Sequence, residues 1–135
     1  EFLIATNKGE DLKPLAKIID YSVAGTKPEE LFWSPIYAVQ KLMKKMNVDI
    51  NHWDLIEANE AFAAQALADG KHLKWDWDRV NVNGGAVALG HPIGASGTRV
   101  LVTLIYALKD RGLKKGLATL CLGGGNAVAL AIELV

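Results

Sequence analysis

Cysteine occurs once in these 135 residues, as Cys121. No disulfide can form within the chain, and a reducing, cytoplasmic setting is expected, with organelles left open. Neither sign of charge is in excess: fifteen Lys and Arg balance fifteen Asp and Glu. That balance gives no handle for nucleic acid or for an anionic membrane surface. The basic groups Lys41, Lys44, Lys45 and Arg111, Lys114, Lys115 fall late in expected helices, where cations offset the helix dipole. No apolar run approaches the ~20 residues of a membrane-spanning helix, and no signal-peptide architecture opens the chain. Neither a P-loop nor a G-x-G-x-x-G fingerprint is present. An initiator methionine is missing too. Glu1-Phe-Leu-Ile-Ala-Thr6 starts inside an apolar segment, as expected of a piece of a longer polypeptide.

What is plentiful is hydrophobic residues, half of the total. The length suits one domain able to bury a core without staples. Mean hydropathy is slightly positive, so one face is expected to be covered by something outside this sequence.

Composition and periodicity predict an α/β fold. Leu15 to Val23 is rich in β-branched and apolar residues and reads as a strand. A helix follows with Ser34 as N-cap and Pro35 at its first position; Ile36, Val39, Gln40, Met43 and Met46 are spaced on one side, and Asn47 and Asp49 close it. Trp53 to Ala58 is a short strand, followed by a helix from about Glu60 to Ala68 that ends at Gly70. Trp75 and Trp77 read as packed lids over a core edge. Arg79 to Val82 is a third strand, and Ser96 to Arg111 a long helix stopped by Gly112. Leu117–Leu122 and Ala127–Leu134 form a hairpin around Gly123-Gly-Gly-Asn126. The expected architecture is therefore a mixed five-stranded sheet, mostly parallel with the last strand antiparallel, and helices on both faces. Along the long helix, Val100, Leu101, Val102, Leu104, Ile105, Ala107 and Leu108 spread over more than one stripe. A helix that is apolar on several sides expects cover on both.

Three polar groups stand at expected strand ends: Asn59, His91 and Cys121. Parallel α/β sheets collect ligands at their carboxyl edge. Each also has a structural reading. Asn59 suits a helix cap, His91 a solvated loop residue, and Cys121 a small buried hydrophobe.

Taken together, three segments resemble the thiolases, in particular the acetyl-CoA C-acetyltransferase type. They are Asn59-Glu-Ala-Phe-Ala63, Asn81-x-Asn-Gly-Gly-x-x-x-Leu-Gly-His-Pro-x-Gly-Ala-Ser-Gly97 and Gly116-Leu-Ala-Thr-Leu-Cys-x-Gly-Gly-Gly125. Their order and spacing resemble the C-terminal half of a thiolase subunit along essentially the whole chain. The resemblance implies a thiolase-like half, residues 1–135 being that C-terminal domain, with no metal and no cofactor beyond the coenzyme A thioester substrate. It implies that His91 activates a nucleophilic cysteine and points a nitrogen at the thioester oxygen. Asn59 then holds a water completing that oxyanion hole, Cys121 moves the α-carbon proton, and the Gly123 N–H serves a second oxyanion hole. Ala61 and Phe62 match positions lining the pantetheine end of the tunnel.

The nucleophile itself is missing, since the lone cysteine matches the proton-transfer position; the CoA-gripping loop region is missing as well. The implied partners are acyl-CoA or CoA, an N-terminal thiolase domain, and further copies in a dimer or tetramer; nucleic acid and membrane are not expected. Alone, the chain is expected to be inactive. Two further readings stand beside this one: a fragment of a ketoacyl-synthase-type condensing enzyme, and a non-catalytic interaction module of the same fold. Asn126-Ala127 also departs from the commoner Met-Gly, and Asn's tolerance of left-handed backbone is expected to preserve the turn.

Overall fold

The computed structural model describes residues 13–135, so the apolar opening at Glu1–Thr6 lies outside the described residues. Four strands form one sheet in the order β1-β4-β3-β2. They are β1 (Ala16–Gly25), β2 (Leu55–Ala58), β3 (Lys115–Leu122) and β4 (Asn126–Leu134). β2 runs parallel to β3, while β4 is antiparallel to both β1 and β3. Three strands thus point one way and the last the other, as its hairpin origin requires.

The expected fifth strand does not form. Of Arg79–Val82, only Val80 bridges to Ile56, and Arg79 lies in a 3₁₀ turn, Trp77–Arg79. Asn81 is the physical reason. Its φ of 49° leaves the extended region. Its side chain then does what a strand backbone would do: Oδ1 accepts from the Ala58 N–H and Nδ2 donates to the Ala58 carbonyl, both at 2.9 Å.

The helices are α1 (Ser34–Met46), α2 (Ala63–Leu73), α3 (Ala86–Leu89) and α4 (Ser96–Arg111). Pro35 opens α1 and left-handed Asn47 closes it, but Ser34 is no cap. Its hydroxyl shares one proton between the carbonyls of Leu31 at 2.7 Å and Asn126 at 3.0 Å, tying α1 to the hairpin. The second helix starts later and runs through Gly70 rather than ending there. A Cβ on Gly70 would collide with the Trp77 ring. Gly70 is a gap for the Trp75–Trp77 pair, whose centroids are 5.7 Å apart; Trp75 is buried beneath it. The long helix spans the expected residues and stops at left-handed Gly112. Lys44 and Lys45, and Lys109 and Arg111, fall in last turns, whereas Lys115 opens β3.

Helices do lie on both faces. α1, Trp53, Leu73 and Trp75 pack with Ile56, Leu117 and Ala129 on one side of the sheet. α4 packs with Leu55, Ala118 and Ile132 on the other. Within α4, Val100, Leu104, Ala107 and Leu108 are buried, Leu101 and Ile105 half-buried, and Val102 and Tyr106 exposed. Only the inner side of this apolar helix is covered. Among the described residues no helix is long and apolar enough to cross a membrane.

Candidate active site

Asn59 follows the last residue of β2, and its N–H donates to the Thr119 carbonyl at 2.9 Å, one step beyond the Ala58–Thr119 pair. Sheet pairing therefore fixes its backbone. Side chains alternate along a strand. Leu55, Glu57 and Asn59 accordingly turn towards α4, where Leu55 joins the core and Arg99 meets the other two. Asn59 is 1 % exposed.

His91 arrives from the other direction, on the loop between α3 and α4. The Pro92 carbonyl accepts from the N–H groups of Ala95 and Ser96 and from the Ser96 hydroxyl, fastening this loop to the start of α4. The His91 ring is held at both nitrogens, with Nδ1 2.6 Å from Ser96 Oγ and Nε2 3.5 Å from Asn59 Nδ2. The residue is otherwise exposed.

A second set of contacts holds the two loops together. The Glu60 carboxylate accepts from Asn81 Nδ2 and from the Val87 N–H, each at 2.9 Å. It occupies the space beside Gly85, where any Cβ would strike it. One carboxylate thus pins the turn after β2 to the first turn of α3, five residues before the imidazole's loop closes at Pro92.

Beneath Asn59 lies a buried ion pair, Glu57 Oε2 to Arg99 Nη1 at 3.3 Å. Burial is the largest influence on Glu57 and lifts its carboxyl from 4.5 to about 7, against the lowering pull of Arg99. Arg99 Nη2 also donates to Asn59 Oδ1 at 3.5 Å.

Cys121 stands on β3, two residues beyond Thr119 and so about 6.6 Å along the strand. Its cross-strand partner is Ala127, a member of the core under α1. Cys121 and Asn59 therefore reach one sheet edge from opposite faces. The structure brings Asn59 and His91 together; no hydrogen bond among the described residues joins Cys121 to either. The thiol is half-buried, and burial pushes its pKa up from 9.0, with the negative charge of Asp69 adding to the rise. The shift is away from neutral pH, so the resting group is the thiol. Asp69, on α2, is fully buried; Gln65 donates to it, and burial raises its carboxyl to about 7.

Gly123 is exposed at the start of the hairpin turn. The turn is anchored at Gly125, whose carbonyl accepts from Thr26 N–H at 2.7 Å and Thr26 Oγ1 at 3.0 Å. With φ at 81° and a would-be Cβ 2.8 Å from the Thr26 carbonyl, this position requires glycine. Asn126 is not left-handed. It opens β4 and its Nδ2 donates to the Gly123 carbonyl at 3.3 Å, across the turn. Ala61 is half-buried, and Phe62 is exposed, edge-on to Phe32 at 5.0 Å.

Sequence reasoning gave no role to Glu57, Glu60, Asn81, Ser96 and Arg99. The available signals were the place of Glu60, Asn81 and Ser96 inside the quoted segments, the one carboxylate of β2, and a guanidinium in the first turn of the long helix. Among the described residues no group of His, Cys, Asp and Glu is placed to hold a metal ion.

The model of the thiolase C-terminal domain matches residues 12–134. The acetyl-CoA acetyltransferase of Chromobacterium violaceum is 56% identical over 97% of the chain and 34% of its own length. A probable acetyl-CoA acetyltransferase of Escherichia coli is 54% identical, over 91% of the chain and 31% of its own length. The crystal structure of the Bacillus anthracis acetyl-CoA acetyltransferase superposes with a TM-score of 0.90 at 50% identity, covering 97% of this chain and 33% of that one. The chain spans about a third of the length of the relatives it matches.

Proposed function

The chain belongs to the thiolase family, and on that premise we propose that residues 1–135 are the C-terminal domain of an acetyl-CoA C-acetyltransferase. It supplies acid–base and oxyanion-binding groups to a site whose nucleophilic cysteine and CoA-binding loops come from an N-terminal domain. The reaction is reversible: two acetyl-CoA give acetoacetyl-CoA and CoA, and thiolysis runs the other way. The observation carrying this reading is the approach of His91 Nε2 to Asn59 Nδ2, 3.5 Å, at the carboxyl end of β2.

In this scheme His91 Nε2 takes the proton of the nucleophilic thiol. The thiolate attacks the thioester carbonyl and CoA leaves. The protonated imidazole, with a water held by the Asn59 amide, faces the developing oxyanion. Cys121 meets the α-carbon from the other face of the sheet edge. In condensation its thiolate removes the α-proton; in thiolysis its thiol returns it to the departing carbanion. Burial favours the thiol, the form that thiolysis uses. The Gly123 N–H, at the exposed turn beside Cys121, binds the enolate oxygen. Ala61 and Phe62 line the pantetheine path. No cofactor beyond the CoA thioester is required, the compartment is cytoplasmic, and the complete enzyme is a dimer or tetramer. The open side of α4, with Val102 and Tyr106, is where the N-terminal domain packs.

The test is to graft this chain in place of the matching third of a full-length relative and to measure CoA-dependent cleavage of acetoacetyl-CoA. The graft is expected to turn over and the isolated chain to show none. Turnover by the chain alone, or a folded graft without activity, contradicts the reading.

A further inference from the structure

Arg99 carries only hydrogen-bond donors, and a backbone carbonyl carries only acceptors. These two groups terminate a continuous chain of contacts: Arg99 Nη2 to Asn59 Oδ1 at 3.5 Å, Asn59 Nδ2 to His91 Nε2 at 3.5 Å, His91 Nδ1 to Ser96 Oγ at 2.6 Å, and Ser96 Oγ to the Pro92 carbonyl at 3.1 Å. Because Arg99 has no acceptor, the oxygen end of the Asn59 amide must face it, and the NH₂ end must face the imidazole. The Ser96 hydroxyl lies 3.1 Å from the Pro92 carbonyl, and giving its single proton there leaves an oxygen lone pair for Nδ1. The Arg99 end dictates the direction, and the Ser96 end accommodates it.

We propose that Arg99 and Ser96 are positioning residues that hold neutral His91 as the Nδ1–H tautomer, with an unprotonated Nε2 directed at Asn59. Glu57, 1 % exposed, holds the guanidinium of Arg99 in place from below. An Nε2 lone pair is the state from which a histidine accepts a nucleophile's proton, so the tautomer presets His91 as a base. That consequence rests on the catalytic role proposed above, whereas the tautomer rests on hydrogen bonding alone.

The experiment is a long-range ¹⁵N–¹H correlation spectrum of the labelled 135-residue chain at about pH 8.5, two units above the usual imidazole pKa. His52 and His72 are the other two histidines, and a His91→Gln sample assigns the His91 pattern. The expected result is a protonated Nδ1 and a clearly separated unprotonated Nε2 in the wild type, retained in Arg99→Lys. In Arg99→Gln, where the side-chain amide can present either end to Asn59, the two nitrogens are expected to move towards an averaged pair. Asn59→Asp keeps a partner for Arg99 yet offers His91 only acceptors, and is expected to move the proton to Nε2. A wild-type His91 protonated mainly at Nε2 overturns the inference, as does an unchanged Nδ1–H pattern in Arg99→Gln or, should that variant not fold, in Asn59→Asp. A graft without turnover whose His91 still shows Nδ1–H sinks the catalytic role and leaves the positioning role standing; the opposite pair of results does the reverse.

Discussion

His91→Ala in the grafted full-length enzyme is expected to lower kcat for acetoacetyl-CoA thiolysis by about 10²–10⁴-fold, the usual loss on removing a general acid or base. The loss falls on kcat more than on KM. In the proposed scheme the imidazole acts on the nucleophile's proton and on the oxyanion, both of which change in the transition state, and grips no remote part of the substrate. The fold survives the change. His91 is exposed and its side chain makes two hydrogen bonds, to Ser96 and Asn59, each worth about 1 kcal/mol net. Steady-state kinetics beside a thermal melt separate the two effects. A variant that melts like the wild type and retains its kcat removes His91 from the chemistry.

Arg99→Met is expected to destabilise the chain by about 3–5 kcal/mol at alkaline pH, the usual cost of removing one partner of a buried ion pair. The stranded group is Glu57, whose Oε1 already lacks a hydrogen-bond partner among the described residues. The size of the effect depends on pH, and the sign follows from proton binding. Burial has already raised the folded-state pKa of Glu57 from 4.5 to about 7. Across that window the folded chain holds a proton that the unfolded chain has lost, so stability falls as pH rises. Asp69, raised from 3.8 to about 7, acts in the same direction. Asp54 opposes them lower down: burial raises it, but the amides of Lys115 and Lys114 hold it below its usual range, so its contribution is lost as pH falls through the acid end. Without Arg99 the Glu57 carboxyl titrates higher still. The penalty should be large near pH 8.5, where the wild-type carboxyl is ionised beside Arg99, and much smaller near pH 5.5, where it is neutral with or without Arg99. Urea unfolding at the two pH values reads this directly, and pairing Arg99→Met with Glu57→Gln should recover most of the loss. A penalty that does not change with pH contradicts the buried-carboxylate explanation.

Local patterns made some of this legible in advance. α4 was visible end to end because its apolar spacing and Gly112 stop lie within one continuous segment. The hairpin was visible because three glycines separate two apolar runs. Asn59 and His91 were legible as a motif, although their contact is not: 32 residues separate them, and the β2–β3 pairing, the Pro92 anchor and the Glu60 carboxylate bring them together. The third strand was misread because Asn81 imitates a strand backbone with its side chain, which no propensity records. Gly70 was misread as a helix stop because its function is to make room for an indole seven residues away. The Glu57–Arg99 pair spans 42 residues and two elements. The face on which Cys121 emerges depends on its register against Ala127, and counting along β3 alone cannot give it.

The proposed site divides its labour across a sheet edge, with the imidazole and carboxamide on one face and the thiol on the other. Solvent deuterium exchange into the methyl group of acetyl-CoA by the grafted enzyme measures that division most directly. With Cys121→Ala, exchange should fall by about 10²–10⁴-fold, while acetyl-CoA still acylates the nucleophile at close to the wild-type rate. Exchange that continues undiminished without Cys121 would show that another group moves the α-proton and that the thiol is only a packed side chain.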